Sequence, residues 1–316
     1  MPKPDKFLSE ELYYSKESDR KYMSPSLFKQ FCRCENRAMA LLNGQYEWPA
    51  SPALLIGQYV ESVLLDESPE AFLAAHPEMF SIKLVEQDDT IQKVGEAYPE
   101  LVTRNGTWKS GALTKARELM PEAFERFAAI KADYQICDQV IERAKRDKML
   151  MEYLHDGDHQ TVLAGKISGI RWKGKTDTIN VEKRRIVDLK VMRDTQRRGG
   201  VSFIEAMRYD EQLAIYHELA QQMYGGDWEC YVAVITKESP SGIELARIPD
   251  WRINELKVLI EEYTPHVAEV WQGKRPSTRC EVCDWCRETK IITEPIDSDL
   301  VGMSREELIA VGGSRG

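Results

Sequence analysis

Two short motifs with chemically useful side chains lie close together in the middle of the chain, at Gly174-Lys175-Thr176-Asp177 and at Ile186-Val187-Asp188-Leu189-Lys190. Both fall in stretches rich in β-branched residues, separated by a short polar turn, which predicts two adjacent strands. Side chains alternate faces along a strand, so Asp188 and Lys190 should point the same way. If the strands pair, Asp177 joins them. We therefore expect two carboxylates and one ammonium at one end of a sheet.

These groups suit the hydrolysis of a phosphodiester bond. Mg²⁺ prefers hard oxygen ligands and keeps several waters, so one or two carboxylates are enough to hold it. The metal lowers the pKa of a bound water and stabilises charge on the phosphate. The lysine can orient that water or neutralise the developing charge. The alternative is an ordinary ion pair on the surface of a strand.

The composition fits a protein with a substantial core and one basic segment. The chain has 316 residues, is 42% hydrophobic and carries a net charge of −9. Residues 165–198 nevertheless contain eleven Lys or Arg and four Asp or Glu, a net charge of +7. A local basic groove in an acidic protein can still bind DNA, because the field near the site matters more than the total charge. The alternative is a solvated strand face.

Neither a membrane span nor a signal peptide is predicted. No apolar run approaches the length of about 18 residues that crosses a bilayer, and the first residues lack the pattern of a signal peptide. We therefore expect a cytoplasmic protein without membrane partners; a bacterial or phage origin is implied only by the family resemblance given below.

The cysteines indicate a metal site rather than a disulfide framework, because their number is odd and the compartment is reducing. The seven are Cys32, Cys34, Cys137, Cys230, Cys280, Cys283 and Cys286. The last three form a C-x2-C-x2-C run, the spacing that bacterial ferredoxins use to hold three corners of a cubane. Zinc bound by four thiolates is an alternative, and three reduced thiols without metal are another.

The surrounding pattern predicts mixed helices and strands. Ser24-Pro25 predicts a helix to about residue 42, and a further helical pattern covers 110–154. Four short strands are expected within 161–191, then a helix over 201–224, strands at 228–236 and 243–248, and a helix over 250–271. The loop after the second motif carries Arg193, Arg197 and Arg198, which predict a phosphate clamp; a flexible surface loop is the alternative.

Asp177 followed eleven residues later by Asp188-Leu189-Lys190 resembles the PD-(D/E)xK nuclease signature, although Thr176 replaces the usual proline. More narrowly, the chain resembles the exonuclease branch that contains RecB, AddB, the CRISPR adaptation nucleases and phage exodeoxyribonuclease VIII (RecE). The resemblance covers about residues 22–290. It implies an α/β (α+β) fold, with a central mixed sheet of the restriction-endonuclease-like core flanked by helices and a large helical N-terminal part.

The resemblance also implies a division of a single nuclease domain, 1–316. The predicted parts are a mainly helical part at 22–155, a sheet core with the active site at 156–250, a C-terminal helix with the cysteine site at 251–290, and a tail at 291–316.

The resemblance assigns further site residues. Gln212 and Tyr216, four apart on one helix face, are similar to the family's Gln-x-x-x-Tyr motif and would brace the active site. Glu61 follows Gly57 at the position where the family has a metal-binding histidine, so Glu61 is a predicted ligand of Mg²⁺ or Mn²⁺ beside Asp177, Asp188 and the carbonyl of Leu189. A surface glutamate without this role is the alternative for Glu61.

In the same branch, one N-terminal cysteine completes a [4Fe-4S] cluster with three C-terminal cysteines. The resemblance therefore predicts Cys34 as the fourth ligand of Cys280, Cys283 and Cys286, with Cys32 as its competitor and zinc as the rival metal.

The function implied is a metal-dependent exonuclease of the RecE kind, with Asp177, Asp188 and Lys190 as catalytic groups. Such an enzyme digests linear duplex DNA from the 5′ end in phage-type recombination and leaves a 3′ strand for a single-strand annealing protein, and its relatives form homo-oligomeric rings. One alternative is an iron–sulfur nuclease of the AddB or CRISPR adaptation kind that acts on single-stranded ends. Another is a non-catalytic DNA-end-binding protein on a nuclease fold.

Overall fold

The computed structural model describes residues 8–9, 11–49, 51–65, 69–292, 295, 298–303 and 307. The chain forms two compact units, one from Met1–Ser51 with Val140–Gly316 and the other from Pro52–Gln139. The four-part division of one domain expected from the sequence stays a prediction. No helix in the described ranges is both long and apolar enough to cross a membrane.

Three helices open the first unit. They are α1 at Lys16–Asp19, α2 at Pro25–Arg33 and α3 at Glu35–Leu42. The predicted start of α2 is confirmed, because the Ser24 hydroxyl accepts the N–H of Leu27 at 3.2 Å. The single predicted helix to residue 42 is wrong. Cys34 has an extended backbone (φ −165°, ψ 105°) and its thiol accepts the N–H of Arg37, so it ends α2 and caps α3.

The second unit combines helices with a small sheet. Its elements are α4 at Pro52–Leu64, α5 at Pro69–Ala75, β1 at Phe80–Val85, α6 at Thr90–Ala97, α7 at Ala112–Leu119 and β2 at Glu125–Ile130. The strands β1 and β2 pair antiparallel, with Phe80 opposite Ile130. The helical pattern predicted over 110–154 is therefore wrong at 125–130. This strand forms because it pairs with β1, some 45 residues earlier in the chain. Local hydrophobic periodicity does not reveal a partner that is so distant in sequence.

The remaining elements complete the first unit, after one helix that crosses the boundary between the units. They are α8 at Ile136–Lys145, α9 at Lys148–His155, β3 at Asp158–Ile167, β4 at Ile170–Asn180, β5 at Arg185–Met192, α10 at Phe203–Ala206, α11 at Tyr209–Tyr224, β6 at Glu229–Thr236, β7 at Ile243–Arg247, α12 at Asp250–Trp271 and α13 at Asp284–Glu288.

The five strands of this unit form one mixed sheet in the order β3-β4-β5-β6-β7. All neighbours are antiparallel except β5 and β6, which are parallel and are joined by the crossover through α10 and α11. The predicted mixed sheet flanked by helices is confirmed. About four strands were expected within 161–191, but there are three, because two of the expected strands form the single continuous strand β4. Ser168 and Gly169, both with positive φ, make the turn between β3 and β4.

Helix α11 packs directly on the sheet. The core around it includes Phe28, Trp172, Leu213 and Leu219, all nearly inaccessible to solvent. A Cβ atom added to Gly174 on β4 would lie 2.7 Å from Cε1 of Tyr216. The glycine therefore permits the close approach that places one face of α11 over β4.

Candidate active site and cysteine cluster

The two predicted carboxylates meet where neighbouring strands separate. The antiparallel ladder between β4 and β5 covers three residue pairs and ends at Thr178 and Val187. Asp177 and Asp188 are the next residues beyond that last pair, and both are buried. Asp177 Oδ2 accepts the backbone N–H of Leu189 at 2.7 Å. The carboxylate thus replaces a ladder hydrogen bond and ties the two diverging strands together.

Lys190 lies against both acids. Its Nζ is 2.6 Å from Asp188 Oδ2 and 4.0 Å from Asp177 Oδ2, and it donates to the carbonyl of Leu189 at 3.1 Å. Burial of the side chain disfavours its charge, but the charges of Asp188 and then Asp177 outweigh burial and raise the pKa of Lys190 above its ordinary value. The side chain therefore stays an ammonium, which acts as a cation and a donor rather than as a base.

Helix α11 supplies the brace that was predicted from the Gln-x-x-x-Tyr spacing. Gln212 Nε2 donates to Asp188 Oδ1 at 2.9 Å and to the hydroxyl of Tyr216 at 3.1 Å. Burial, followed by the nearby charge of Asp188, raises the pKa of Tyr216 well above its ordinary value, so the phenol stays protonated. The structure brings Asp177, Asp188, Lys190, Gln212 and Tyr216 into one continuous network.

One member of this network, Lys29 on α2, is not predicted from the sequence. Its Nζ donates to Gln212 Oε1 at 2.9 Å and to the carbonyl of Arg208 at 3.4 Å. Since a lysine ammonium only donates, it fixes the orientation of the Gln212 amide, with the oxygen toward Lys29 and the nitrogen toward Asp188. Burial, with a smaller effect from Lys190, lowers the pKa of Lys29 to about 8.

Tyr209 is a second residue that sequence reasoning missed. Its ring lies 5.4 Å from Nζ of Lys190 and 5.5 Å from Nζ of Lys29, within the range of a cation–π interaction. The sequence contains a weak signal for it, because Tyr209 precedes Gln212 by three residues and so shares its helix face. The preceding residue, Arg208, has φ +57° and sets the direction in which α11 begins.

The residues at this site fit a hard divalent cation. Two buried carboxylates, those of Asp177 and Asp188, each have an oxygen within 4.0 Å of the Lys190 ammonium and so come together at one place. Asp188 Oδ2 is buried and accepts no well-formed hydrogen bond from any residue that the structure describes, although Lys190 lies close to it. Carboxylate and carbonyl oxygens are the donors that Mg²⁺ and Mn²⁺ prefer.

One further predicted ligand belongs to the second unit, and the predicted basic residues lie on the loop after β5. Glu61 is on α4 of the second unit, where it is half-buried, and its role as a ligand stays a prediction. The loop after β5 carries Arg193, whose side chain is 89% exposed and lies 3.8 Å from Asp194. Arg198 also pairs with Asp194, at 3.5 Å, and Arg197 donates to the carbonyl of Gly200.

Four cysteines converge at a second site. The Sγ atoms of Cys34, Cys280, Cys283 and Cys286 all lie within 4.8 Å of one another. Cys34 Sγ is 3.5 Å from Cys286 Sγ, and Cys280 Sγ is 3.9 Å from it. The structure places Cys34 in this group, whereas Cys32 is not one of the four, although it lines a cavity together with Cys34 and Cys280. Such a set of thiols can hold a metal.

Backbone and side-chain contacts hold the four thiols in place. The N–H groups of Cys283 and Cys286 point at the preceding thiols, at 3.3 and 3.4 Å. Arg37 on α3 donates to Asp284 on α13 at 3.0 Å. The Glu35 carboxylate accepts the N–H of Thr278 at 2.8 Å. The cysteine cluster therefore joins α3 to the C-terminal segment through several independent contacts.

The mixed sheet and the acid, acid and lysine arrangement where β4 and β5 separate define the architecture of the PD-(D/E)xK nuclease superfamily, as the sequence predicted. Residues 24–289 match the model of DUF3799, described as a PDDEXK-like domain of unknown function, and the chain belongs to this family.

One solved structure agrees with this fold. A crystal structure from Eubacterium rectale, described as that of a candidate exonuclease, shares 28% sequence identity with a TM-score of 0.71; the match covers 93% of this chain and 98% of that chain. The crystal structure of SSO0001 shares 12% identity over 76% of this chain and 97% of that chain, and its TM-score of 0.30 is too low to carry an argument. No curated protein matches the chain.

Proposed function

We propose that this protein is a metal-dependent exonuclease that hydrolyses phosphodiester bonds of linear duplex DNA, with 5′→3′ polarity. The observation that carries the proposal is the network in which Gln212, itself oriented by Lys29, holds Asp188 beside Asp177 and Lys190. The similarity to a candidate exonuclease of known structure supports the same class of reaction.

The chain's own residues prepare the site for this reaction. Asp177, Asp188 and the carbonyl of Leu189 would hold Mg²⁺ or Mn²⁺, which when bound supplies an activated water and neutralises charge on the phosphate. Lys190, kept protonated by the two acids, donates toward the attacking water or the phosphate oxygens. Gln212 keeps Asp188 in one rotamer, so that little reorganisation accompanies the reaction.

The test is digestion of a linear duplex labelled at either the 5′ or the 3′ end, in the presence of Mg²⁺. We expect release of the 5′ label first and no release of nucleotides from covalently closed circles. The variants Asp188→Ala and Lys190→Ala should abolish digestion while their circular dichroism spectra stay those of the wild type. Undiminished digestion by either variant would remove this assignment of the active site.

The arginines of the loop after β5 are proposed to bind the phosphates of the substrate. Arg193 is almost fully exposed, and Arg197 and Arg198 follow on the same loop. A 3′ strand left by the reaction would suit a single-strand annealing protein, and a ring of copies of this chain would suit processive digestion. Both of these partners belong to the proposal and rest on the resemblance to RecE-like exonucleases.

At the cysteine cluster we propose a [4Fe-4S] cluster, on the basis of the C-x2-C-x2-C spacing and the convergence of Cys34. Zinc is the second candidate, and two short distances between Sγ atoms favour it.

Four thiolates at about 2.3 Å from one tetrahedral ion lie about 3.8 Å apart. This is close to the 3.5 and 3.9 Å observed for Cys34–Cys286 and Cys280–Cys286. In a cubane, each thiolate binds a different iron, so the thiols must separate further. Absorbance near 400 nm with iron and sulfide selects the cluster, and one zinc without that absorbance selects zinc.

A nuclease of the AddB or CRISPR adaptation kind, acting on single-stranded ends, is the second candidate function, because four thiols meet in this chain. The same assay distinguishes the two functions. Faster digestion of a labelled single strand than of the duplex of the same sequence selects the second candidate.

A further inference from the structure

A cavity of about 290 Å³ lies next to the active site in the first unit. Its wall includes Tyr216, whose hydroxyl accepts a hydrogen bond from Gln212, the residue that also binds Asp188. The cavity also reaches Lys175 on β4, two residues before Asp177. A strand rises about 3.4 Å per residue, so this lysine is about 7 Å along β4 from Asp177. A single nucleotide is long enough to reach from the cavity to the carboxylates.

Two aromatic rings give the cavity a surface on which a flat ligand can stack. Tyr14 and Trp48 line it and are 73% and 46% exposed, although large aromatic side chains are usually buried. The Lys175 ammonium lies 5.6 Å from the centre of the Tyr14 ring. Exposed aromatic rings interleaved with basic side chains are the surfaces on which proteins hold the bases of single strands.

A buried acceptor adds a polar feature to the same cavity. Gln30 on α2 belongs to the lining, and its Oε1 is inaccessible to solvent and accepts no hydrogen bond within the described part of the chain. An unsatisfied buried acceptor is costly. Each of the four nucleobases carries at least one N–H donor, so a base in the cavity can satisfy this oxygen once the Gln30 side chain turns toward it.

The neighbouring lysine on β4 does not compete for the ligand. Lys173 is buried and ion-paired with Asp19 at 2.7 Å, and it donates to Ser18 Oγ at 2.9 Å. The charge of Lys173 is therefore balanced by Asp19 within the protein. Among the residues that line the cavity, Lys175 is the basic group that remains for a ligand. The volume lies at the small end of ligand sites and suits one base with its sugar rather than two.

We infer that this cavity binds one unpaired nucleobase of the substrate strand, next to the phosphodiester that is cleaved. This rests on the proposed nuclease function and adds to it that the strand end must be unpaired by at least one nucleotide before cleavage. Stacking on Tyr14 and Trp48 holds the base, and Gln30 accepts from its edge.

The test measures binding rather than cleavage, in an Asp188→Asn background. Two fluorescent single strands of equal length are compared, oligothymidylate and an abasic strand with the same phosphates. We expect Tyr14→Ala and Trp48→Ala each to weaken oligothymidylate binding about tenfold, the loss of one stacked base. Neither should change binding of the abasic strand. Tyr14→Phe and Trp48→Phe keep a ring and should restore most of the affinity.

Two results would overturn the inference. One is unchanged affinity for oligothymidylate in both alanine variants, and the other is an equal loss for both strands, which would mean that phosphates alone are recognised. Tyr14 is mostly exposed, so Tyr14→Ala should fold even if Trp48→Ala does not. If the wild type cleaves no DNA but the base-dependent losses are seen, the nuclease proposal fails while the base site stands.

Discussion

At the scale of single residues, the site depends on the direction in which one amide points. Gln212 binds Asp188 through its nitrogen while its oxygen accepts from Lys29, so the two partners together fix the amide. Lys29 donates a hydrogen bond to Gln212 and orients Asp188 through it. It is therefore a positioning residue, comparable to the outer groups that orient metal ligands in other sites.

Replacement of Lys29 should lower activity without removing it. In Lys29→Met the Gln212 amide oxygen loses its donor, and we expect a loss of about 10- to 100-fold in kcat, the range for groups that orient ligands. Lys29→Arg keeps a donor and should lose less. Digestion of labelled duplex at saturating Mg²⁺ measures the effect. Equal activity of Lys29→Met and wild type would contradict the positioning role.

The same residue should make stability depend on pH. Burial lowers the pKa of Lys29 to about 8 from its ordinary value of 10.5. Between these two values the unfolded chain binds a proton that the folded chain lacks, so this lysine makes the folded state more stable as pH rises. The free energy of unfolding of the wild type minus that of Lys29→Met should therefore increase from pH 8 to pH 10. Urea unfolding of both proteins at several pH values measures this difference in free energy. A difference that does not change with pH would contradict the buried environment of Lys29.

Most residues of this network could be predicted from the sequence, but Lys29 could not. Asp177, Asp188 and Lys190 could be predicted because metal-assisted hydrolysis needs those residue types at short spacing. Gln212 and Tyr216 are one helical turn apart, which a sequence displays directly. Lys29 lies 183 residues from its partner Gln212 and belongs to no local pattern.

At the scale of elements, the distance between α11 and the sheet decides whether the brace reaches the acids. The position of Gly174 under the Tyr216 ring sets this distance. Helix α11 also begins at Arg208 in the left-handed region, which fixes where the helix starts relative to α10. These two features place Gln212 over the point where β4 and β5 separate.

A methyl group at position 174 should therefore disturb both stability and catalysis. In Gly174→Ala the Cβ atom would meet the buried Tyr216 ring at 2.7 Å, so the ring, or α11 with it, must shift. We expect a loss of about 1–3 kcal/mol in the free energy of unfolding, the usual cost of overpacking, together with reduced cleavage. Gly57→Ala is the matched control, since a Cβ there meets nothing within 4 Å and alanine favours a helix. Equal melting temperatures for the two variants would contradict this account.

Local signals predicted some elements and failed for others. The Ser24 cap and the long helix α12 follow from residues next to one another in sequence. The break at Cys34 depends on a thiol cluster whose other members come more than 240 residues later, and β2 depends on pairing with β1. Elements stabilised by distant partners are the ones that propensity and periodicity describe least well.

At the scale of the whole molecule, the basic segment 165–198 has two roles. Several of its charges are occupied within the fold, since Lys173 pairs with Asp19 and both Lys183 and Arg185 pair with Asp156. The positive charge that remains for phosphates is therefore smaller than the count of residues indicates.

The cysteine cluster should contribute to stability through the metal that we propose for it. In Cys34→Ser one of the four thiols is lost, and we expect loss of bound metal and a lower melting temperature, because metal binding is coupled to folding. Cys32→Ser, two residues away and outside the cluster, is the matched control and should keep the metal. Elemental analysis with thermal unfolding, before and after a chelator, measures both effects. Retention of metal by Cys34→Ser would contradict the assignment of this ligand.

The thiols of Cys34 and Cys286 are in contact although 252 residues separate them along the chain. Ribosomal synthesis proceeds from the N-terminus, so Cys34 emerges long before its three partners are translated. The proposed metal can be bound by all four thiols only after most of the first unit has been made. Chains whose synthesis stops early would therefore expose the Cys34 thiol to oxidation. They would also lack the C-terminal contacts that hold α3, and proteases would cleave them more readily than finished chains.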